Sequence, residues 1–128
     1  MGPSRLRLYN VVMDCEDALL LARFWADALG WQIRSRDPGW ATIADPEGPE
    51  RRMGFHPVPE SKAGKNRLHV DLLPEEGVPR TEERRRLESL GASLVQTVYQ
   101  ADLVAHDVMA DPEGNEFCLL EPYPEYFE

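Results

Sequence analysis

The stretch DPEGNEFCLL, Asp111–Leu120, opens with four residues that occur a second time, at Asp45–Gly48. DPEG is a turn sequence. Proline presets φ at the second position, and Asp and Gly suit the first and fourth. The two copies bring their surroundings with them. GWATIADPEG, residues 39–48, lies over AHDVMADPEG, residues 105–114, with Ile43 over Met109 and Ala44 over Ala110. Farther upstream each copy has a Leu-Gly pair, Leu29-Gly30 and Leu90-Gly91, ending a segment of helical character. The offset grows from 61 residues at Leu-Gly (29 to 90) to 66 at DPEG (45 to 111), so a few loop residues differ. The chain reads as a duplicated module of roughly 60 residues.

Each copy has the order β-α-β-β-β. In the first, RLRLYNVVMD (residues 5–14) reads as a strand. Asp17 is a plausible N-cap for ALLLARFWADAL, where Leu21, Phe24, Trp25, Ala28 and Leu29 recur at helical spacing. Gly30 suits the position after that helix. WQIRSR and GWATIA follow as strands joined by a turn at Asp37-Pro38-Gly39, then RRMGFHPV, ended by Pro57 and Pro59. In the second copy RLHVDLL alternates. Leu68, Val70 and Leu72 are expected on one face, and Arg67, His69 and Asp71 on the other. Residues 79–90 form a charged helix starting at Pro79 or Thr81, with Leu87 and Leu90 inward. ASLVQTVYQ, LVAHDVMA and NEFCLLE are the remaining strands. PESKAGKN reads as a polar linker, and PYPEYFE as an acidic, aromatic tail.

Bulk properties narrow the function. A chain of 128 residues is one domain by size, with module one at about 5–60, module two at about 66–122 and a tail at 123–128. The net charge of −9 argues against nucleic acid or an anionic membrane as partner, and mildly favours neutral or cationic ligands. No apolar run approaches the ~18 residues of a spanning helix. MGPSRLRLYN has no apolar core of a signal peptide, and Met1–Pro3 reads as an expression remnant. Two cysteines, Cys15 and Cys118, make no disulfide framework, so a cytoplasmic protein with free thiols is expected.

Three blocks carry a family resemblance: LARFWADALGW (residues 21–31), KNRLHVDLLPEEG (65–77) and ADPEGNEFCLL (110–120). With the tandem order of elements, they resemble the vicinal oxygen chelate superfamily of glyoxalases, bleomycin-resistance proteins and dioxygenases, in its glyoxalase-like domain subfamily. The resemblance covers essentially the whole chain. It implies an α+β fold of two βαβββ modules, with curled mixed sheets around a cavity and helices outside. It also implies a homodimer and a small-molecule ligand. Metal-using relatives hold one divalent ion with His, Gln or Glu from four strands.

Carried over strand by strand, those ligand positions fall on Asn10, near Gly54, on His69 and on Cys118. Only His69 keeps a usual ligand. Gly54 has no side chain, and a hard ion prefers oxygen to the sulfur of Cys118. No cofactor is therefore expected, and no metal site. If a metal is present, His69 and Cys118 are its ligands. His69 is the leading candidate for acid/base work or ligand contact, against the alternative of a histidine paired with Arg67 or Asp71. Glu116, on the face of Cys118 by period two, is a second candidate base, or else a charge at a strand end. Cys118 itself reads as a buried apolar side chain or, given a nearby base, a nucleophile. Asn10, Trp40, His56, Arg67, Asp71 and His106 complete the expected cavity lining. Arg84, Arg85 and Arg86 with Glu82, Glu83 and Glu88 read as a solvated helix face.

Two function classes follow. One is a glyoxalase-like protein that binds a small organic molecule without the usual divalent site. The alternative is a metal-dependent enzyme of the glyoxalase or dioxygenase kind, a lyase, isomerase or dioxygenase using His69.

Overall fold

The structure, a computed structural model, describes every residue except Met1, Pro3 and residues 36–38. The chain divides into two compact units, residues 1–61 and 62–128. The expected turn at Asp37-Pro38 and most of the Met1–Pro3 remnant lie outside the described residues.

The first unit contains β1 (Val11–Cys15), α1 (Ala18–Leu29), β2 (Gln32–Ser35), β3 (Ala41–Asp45) and β4 (Gly48–Pro57). Its sheet has the order β1-β4-β3-β2, with β1 parallel to β4 and the other pairs antiparallel. Asp17 caps α1, accepting a hydrogen bond from the Leu20 N–H at 3.1 Å. Gly30 ends the helix at φ 70°, a left-handed conformation that favours glycine. Helix α1 packs on β3 and β4. Leu21, Trp25, Ile43 and Phe55 are fully buried, each contributing about 1.5–3 kcal/mol by removal from water.

The second unit repeats the plan with β5 (Asp71–Leu72), α2 (Arg80–Leu90), β6 (Ser93–Gln100), β7 (Leu103–Ala110) and β8 (Glu116–Leu120). The order β5-β8-β7-β6, with β5 parallel to β8, is the same topology again. A 3-10 turn, Pro124–Phe127, follows. The fold is thus α+β with two tandem modules, each a four-stranded mixed sheet with one helix. No helix among the described residues is long and apolar enough to cross a membrane.

Three expectations need correction. The strand expected at residues 5–14 begins only at Val11, and Leu6 and Leu8 are exposed. The ladder with β4 begins at Val11 beside Met53, and upstream of it the Arg52 guanidinium instead lies over the Tyr9 ring, 4.3 Å from its centroid. The strand expected at residues 67–73 is reduced to Asp71–Leu72, and Leu68 is 72% exposed rather than inward. Two steps back along this ladder, His69 would stand beside Glu116. Instead Asn66 donates its backbone N–H to the Glu116 carboxylate at 3.0 Å and its side-chain N–H to the Glu116 carbonyl at 3.4 Å, so the chain turns away. Third, the charged face of α2 is not wholly solvated. Arg80 is buried, and both Arg80 and Arg84 approach the fully buried carboxylate of Asp107, at 3.4 and 3.3 Å. Asp107 also accepts from Thr97 at 2.6 Å. Arg86 does pair with Glu83 on the helix surface.

The doubled turn is the same device in both units. Glu47 and Glu113 donate their N–H groups to Asp45 and Asp111, each at 2.9 Å. The copies differ in depth. Asp45 sits at a more exposed hairpin and pairs with Arg51 at 2.8 Å. Asp111 is buried and also accepts from the backbone and side chain of Asn115. Asp111→Ala leaves those donors unpaired and is expected to cost about 2–3 kcal/mol in urea unfolding. Asp45→Ala is expected to cost clearly less, and equal losses would contradict this difference.

Candidate functional site

A recess of about 200 Å³ opens on the second unit. The parallel ladder builds its floor. Asp71 stands beside Cys118 and Leu72 beside Leu119, and the Cys118 N–H donates to the Val70 carbonyl at 3.0 Å. His69 and Asp71 are two residues apart and reach the same side, as the alternation predicts. The His69 Nδ1 is 3.2 Å from Asp71 Oδ1. Across β8, His106 on β7 pairs with Leu120, and Val108 with Cys118. The recess is lined by His69, Asp71, His106, Glu116 and Cys118, with Val108 and Leu120 as apolar wall and Lys65 at the rim.

The polar groups have different states. Burial pushes the Cys118 thiol up, and the Asp71 carboxylate adds to this by its charge and by a hydrogen bond, with Lys65 opposing. At neutral pH Cys118 is therefore a thiol, an unpromising nucleophile. Glu116 is held the other way. Burial raises its carboxyl, but the Asn66 N–H and Lys62, 3.0 Å away, outweigh that and hold it below its ordinary value. It is an ionised carboxylate already committed to two partners, which suits a loop anchor better than a free general base.

Of the expected lining, His69, Asp71, His106 and Cys118 share this recess with Glu116, while Arg67 is exposed and does not line it. Asn10, Trp40 and His56 belong to the first unit. There Trp40 and His56 stack with ring centroids 4.7 Å apart. Lys65, Val108 and Leu120 were not anticipated as lining, nor were Lys62 and Asn66 as anchors of Glu116. The only sequence signal for them was a polar, lysine-bearing linker ahead of an alternating strand.

The register also tests whether the residues fit the four-ligand metal set of the resembling enzymes. Gly54 pairs with Thr42 and Val12, as Cys118 pairs with Val108 and Asp71, so Gly54 and Cys118 hold equivalent places in the two modules. A Cβ on Gly54 would lie 2.8 Å from Asn10 Nδ2, so no longer side chain has room there without moving Asn10. The first unit thus offers an amide and no carboxylate at these places, and the four-ligand set does not fit. Among the described residues, one group of metal-ligating side chains does converge. The donor atoms of His69, Asp71 and Cys118 all lie within 4.8 Å of one another.

The sequence profile of the Glyoxalase-like domain family matches residues 10–120, and the chain belongs to that family. No curated relative matches the sequence significantly. Among solved structures, a glyoxalase/bleomycin resistance protein/dioxygenase family enzyme from Burkholderia phytofirmans is 19% identical, with TM-score 0.67 over 87% of this chain and 94% of that one. The genomically encoded fosfomycin resistance protein of Listeria monocytogenes, in a complex with Mn(II) and a dihydroxypropylphosphonic acid, is 10% identical. Its TM-score is 0.70, over 93% of this chain and 92% of that one. A hypothetical protein from S. aureus is 15% identical, with TM-score 0.67 over 94% and 95% of the two chains. At these identities the likeness is one of fold.

Two outcomes check the electrostatics. In a Cys15→Ala background, Cys118 should react with a disulfide reagent slowly, accelerating only above the ordinary thiol pKa of about 8.5. Asp71→Asn should shift that profile to lower pH and Lys65→Gln to higher, and a wild-type profile centred below 8 would contradict the assignment. For Glu116, the folded carboxyl ionises more readily than the unfolded one. Its contribution is present above the unfolded glutamate pKa of about 4.3 and is lost as pH falls through the lower folded value. Glu116→Gln should therefore lower stability at pH 7 and flatten the acid limb of a urea-unfolding series.

Proposed function

We propose that the recess of the second unit binds a small organic molecule with an aromatic or cationic group, and that it does so without the four-ligand divalent site of its metal-using relatives. The observation that carries this reading is the convergence of His69, Asp71 and His106 on a recess with an apolar wall, Val108 and Leu120. Few polar groups set in an apolar wall are what orients a small ligand. The charge inventory favours a cation over an anion. Lys62 offsets Glu116 and Lys65 faces Asp71, so the recess is locally balanced, and it is the net charge of −9 over the chain that favours a cation. The half-exposed imidazoles of His69 and His106 supply flat faces for an aromatic ring and hydrogen bonds at its edge.

In this reading Asp71 is the anchor. Its carboxylate takes the cationic or N–H-bearing end of the ligand, His69 holds that carboxylate in place, and the apolar wall takes the ring. The Cys118 thiol forms the floor and is not consumed. The homodimer implied by the resemblance belongs to the same proposal, and light scattering of the purified protein reads it directly.

The test is a thermal-shift and calorimetric panel of aromatic cations and matched anions, run in excess chelator. Cations should bind and anions should not. Asp71→Asn should weaken cation binding about tenfold, or about 1.4 kcal/mol. Preference for the anions, an inert Asp71→Asn, or a panel with no binder would each overturn the reading.

A further inference from the structure

We propose that His69, Asp71 and Cys118 form a soft-metal centre, a three-donor site for a divalent cation of zinc's type, carried entirely by the second unit. It is not the four-ligand site of the resembling enzymes, which the residues here do not fit. Its third donor, Asp71, lies at none of the four positions that resemblance marks.

The backbone accounts for the convergence. His69 and Asp71 are two residues apart and reach the same side. Asp71 and Cys118 are direct partners across the parallel ladder. That geometry sets three different donor atoms within 4.8 Å of one another, with His69 Nδ1 and Asp71 Oδ1 already 3.2 Å apart. Donors around a tetrahedral zinc ion stand about 3.3–3.6 Å apart, given bonds of about 2.0–2.3 Å. Only the longer separations must close, and the half-exposed His69 and Asp71 side chains have freedom to move toward a buried Cys118.

The donor chemistry selects the ion. One sulfur, one imidazole nitrogen and one carboxylate oxygen suit zinc, cobalt or cadmium, whereas magnesium and manganese prefer oxygen. On binding, the Cys118 S–H bond breaks, its proton passes to solvent, and the sulfur's electron pair forms the metal–sulfur bond. Three protein donors leave a fourth position for water or a ligand atom, and the adjoining recess supplies the space.

The arrangement is not a by-product of the fold. In the first unit the ladder pair equivalent to Asp71 and Cys118 is Val12 and Gly54. Neither offers a donor. The same backbone is used twice, and only one copy carries the set.

The centre shares His69, Asp71 and Cys118 with the organic-ligand reading, and the two are told apart because one is tested with metal alone and the other in excess chelator. Chelator-stripped full-length protein is titrated with Co(II), then with Zn(II). A single ion should bind, with a thiolate-to-cobalt charge-transfer band and visible bands of four-coordinate strength, both removed by zinc. Cys118→Ser should abolish the charge-transfer band. Asp71→Ala and His69→Ala should each weaken binding by at least about tenfold. Circular dichroism checks each variant's fold. Because Cys118 is buried, the exposed His69 and Asp71 variants carry the test if Cys118→Ser does not fold. Absence of the charge-transfer band in the wild type, or unchanged affinity in Asp71→Ala, overturns the site.

Discussion

Two ladder pairs hold the site together. Strand β5 touches β8 only through Asp71 beside Cys118 and Leu72 beside Leu119. A two-residue parallel ladder is weak by itself, and its neighbours stabilise it. Just before the first pair the Cys118 N–H reaches the Val70 carbonyl. Farther back on the same side, the carboxylate of Glu116 is held by Asn66 and Lys62. Behind the sheet, Phe117 and Leu119 are buried and point opposite to Cys118 along the strand. The chemistry of the recess therefore depends on a strand whose alternate residues do opposite work. Phe117 and Leu119 anchor the sheet in the core, and Glu116, Cys118 and Leu120 face the recess.

The buried carboxylate of Asp107 plays a comparable role for the helix. It draws Arg80 and Arg84 inward from α2 and accepts a hydroxyl from Thr97 on β6. A helix with so few apolar residues has little hydrophobic reason to lie on a sheet. Leu87 supplies some, and the charged network supplies the orientation. Breaking a buried pair leaves an uncompensated charge, so such networks hold registration more than they add stability.

The order of elements was legible because a duplication writes it twice. DPEG, Leu-Gly and the apolar spacing of residues 18–29 each mark local physics: a side-chain-capped turn, a left-handed helix end and a buried helical stripe. What escaped was every feature decided by a distant partner. Nothing local to Arg5–Asn10 says that the ladder begins only at Val11. Nothing local to RLHVDLL (residues 67–73) says that Glu116, far along the chain, takes the hydrogen bonds the strand would have used. Arg80 looks like its neighbours until Asp107 is placed under it. At the site, alternation alone was enough to group His69 with Asp71. The strand-by-strand resemblance added Cys118. Lys62, Lys65 and Asn66 were missed because a polar linker has no periodicity to read.

The two units differ in chemistry at equivalent ladder positions. Where the second unit has Asp71 and Cys118, the first has Val12 and Gly54, and Asn10 Nδ2 stands only 2.8 Å from where a Cβ at Gly54 would be. The space that a metal-binding or ligand-facing side chain would need is closed by an amide. The second unit keeps the floor of its recess open by placing a small, buried thiol there. One backbone plan thus gives two surfaces of different character: an aromatic pair, Trp40 with His56, on the first unit, and a mixed nitrogen, oxygen and sulfur cluster on the second. Duplication supplied the scaffold, and substitutions at paired positions of the β1–β4 and β5–β8 ladders separated the chemistry of the copies.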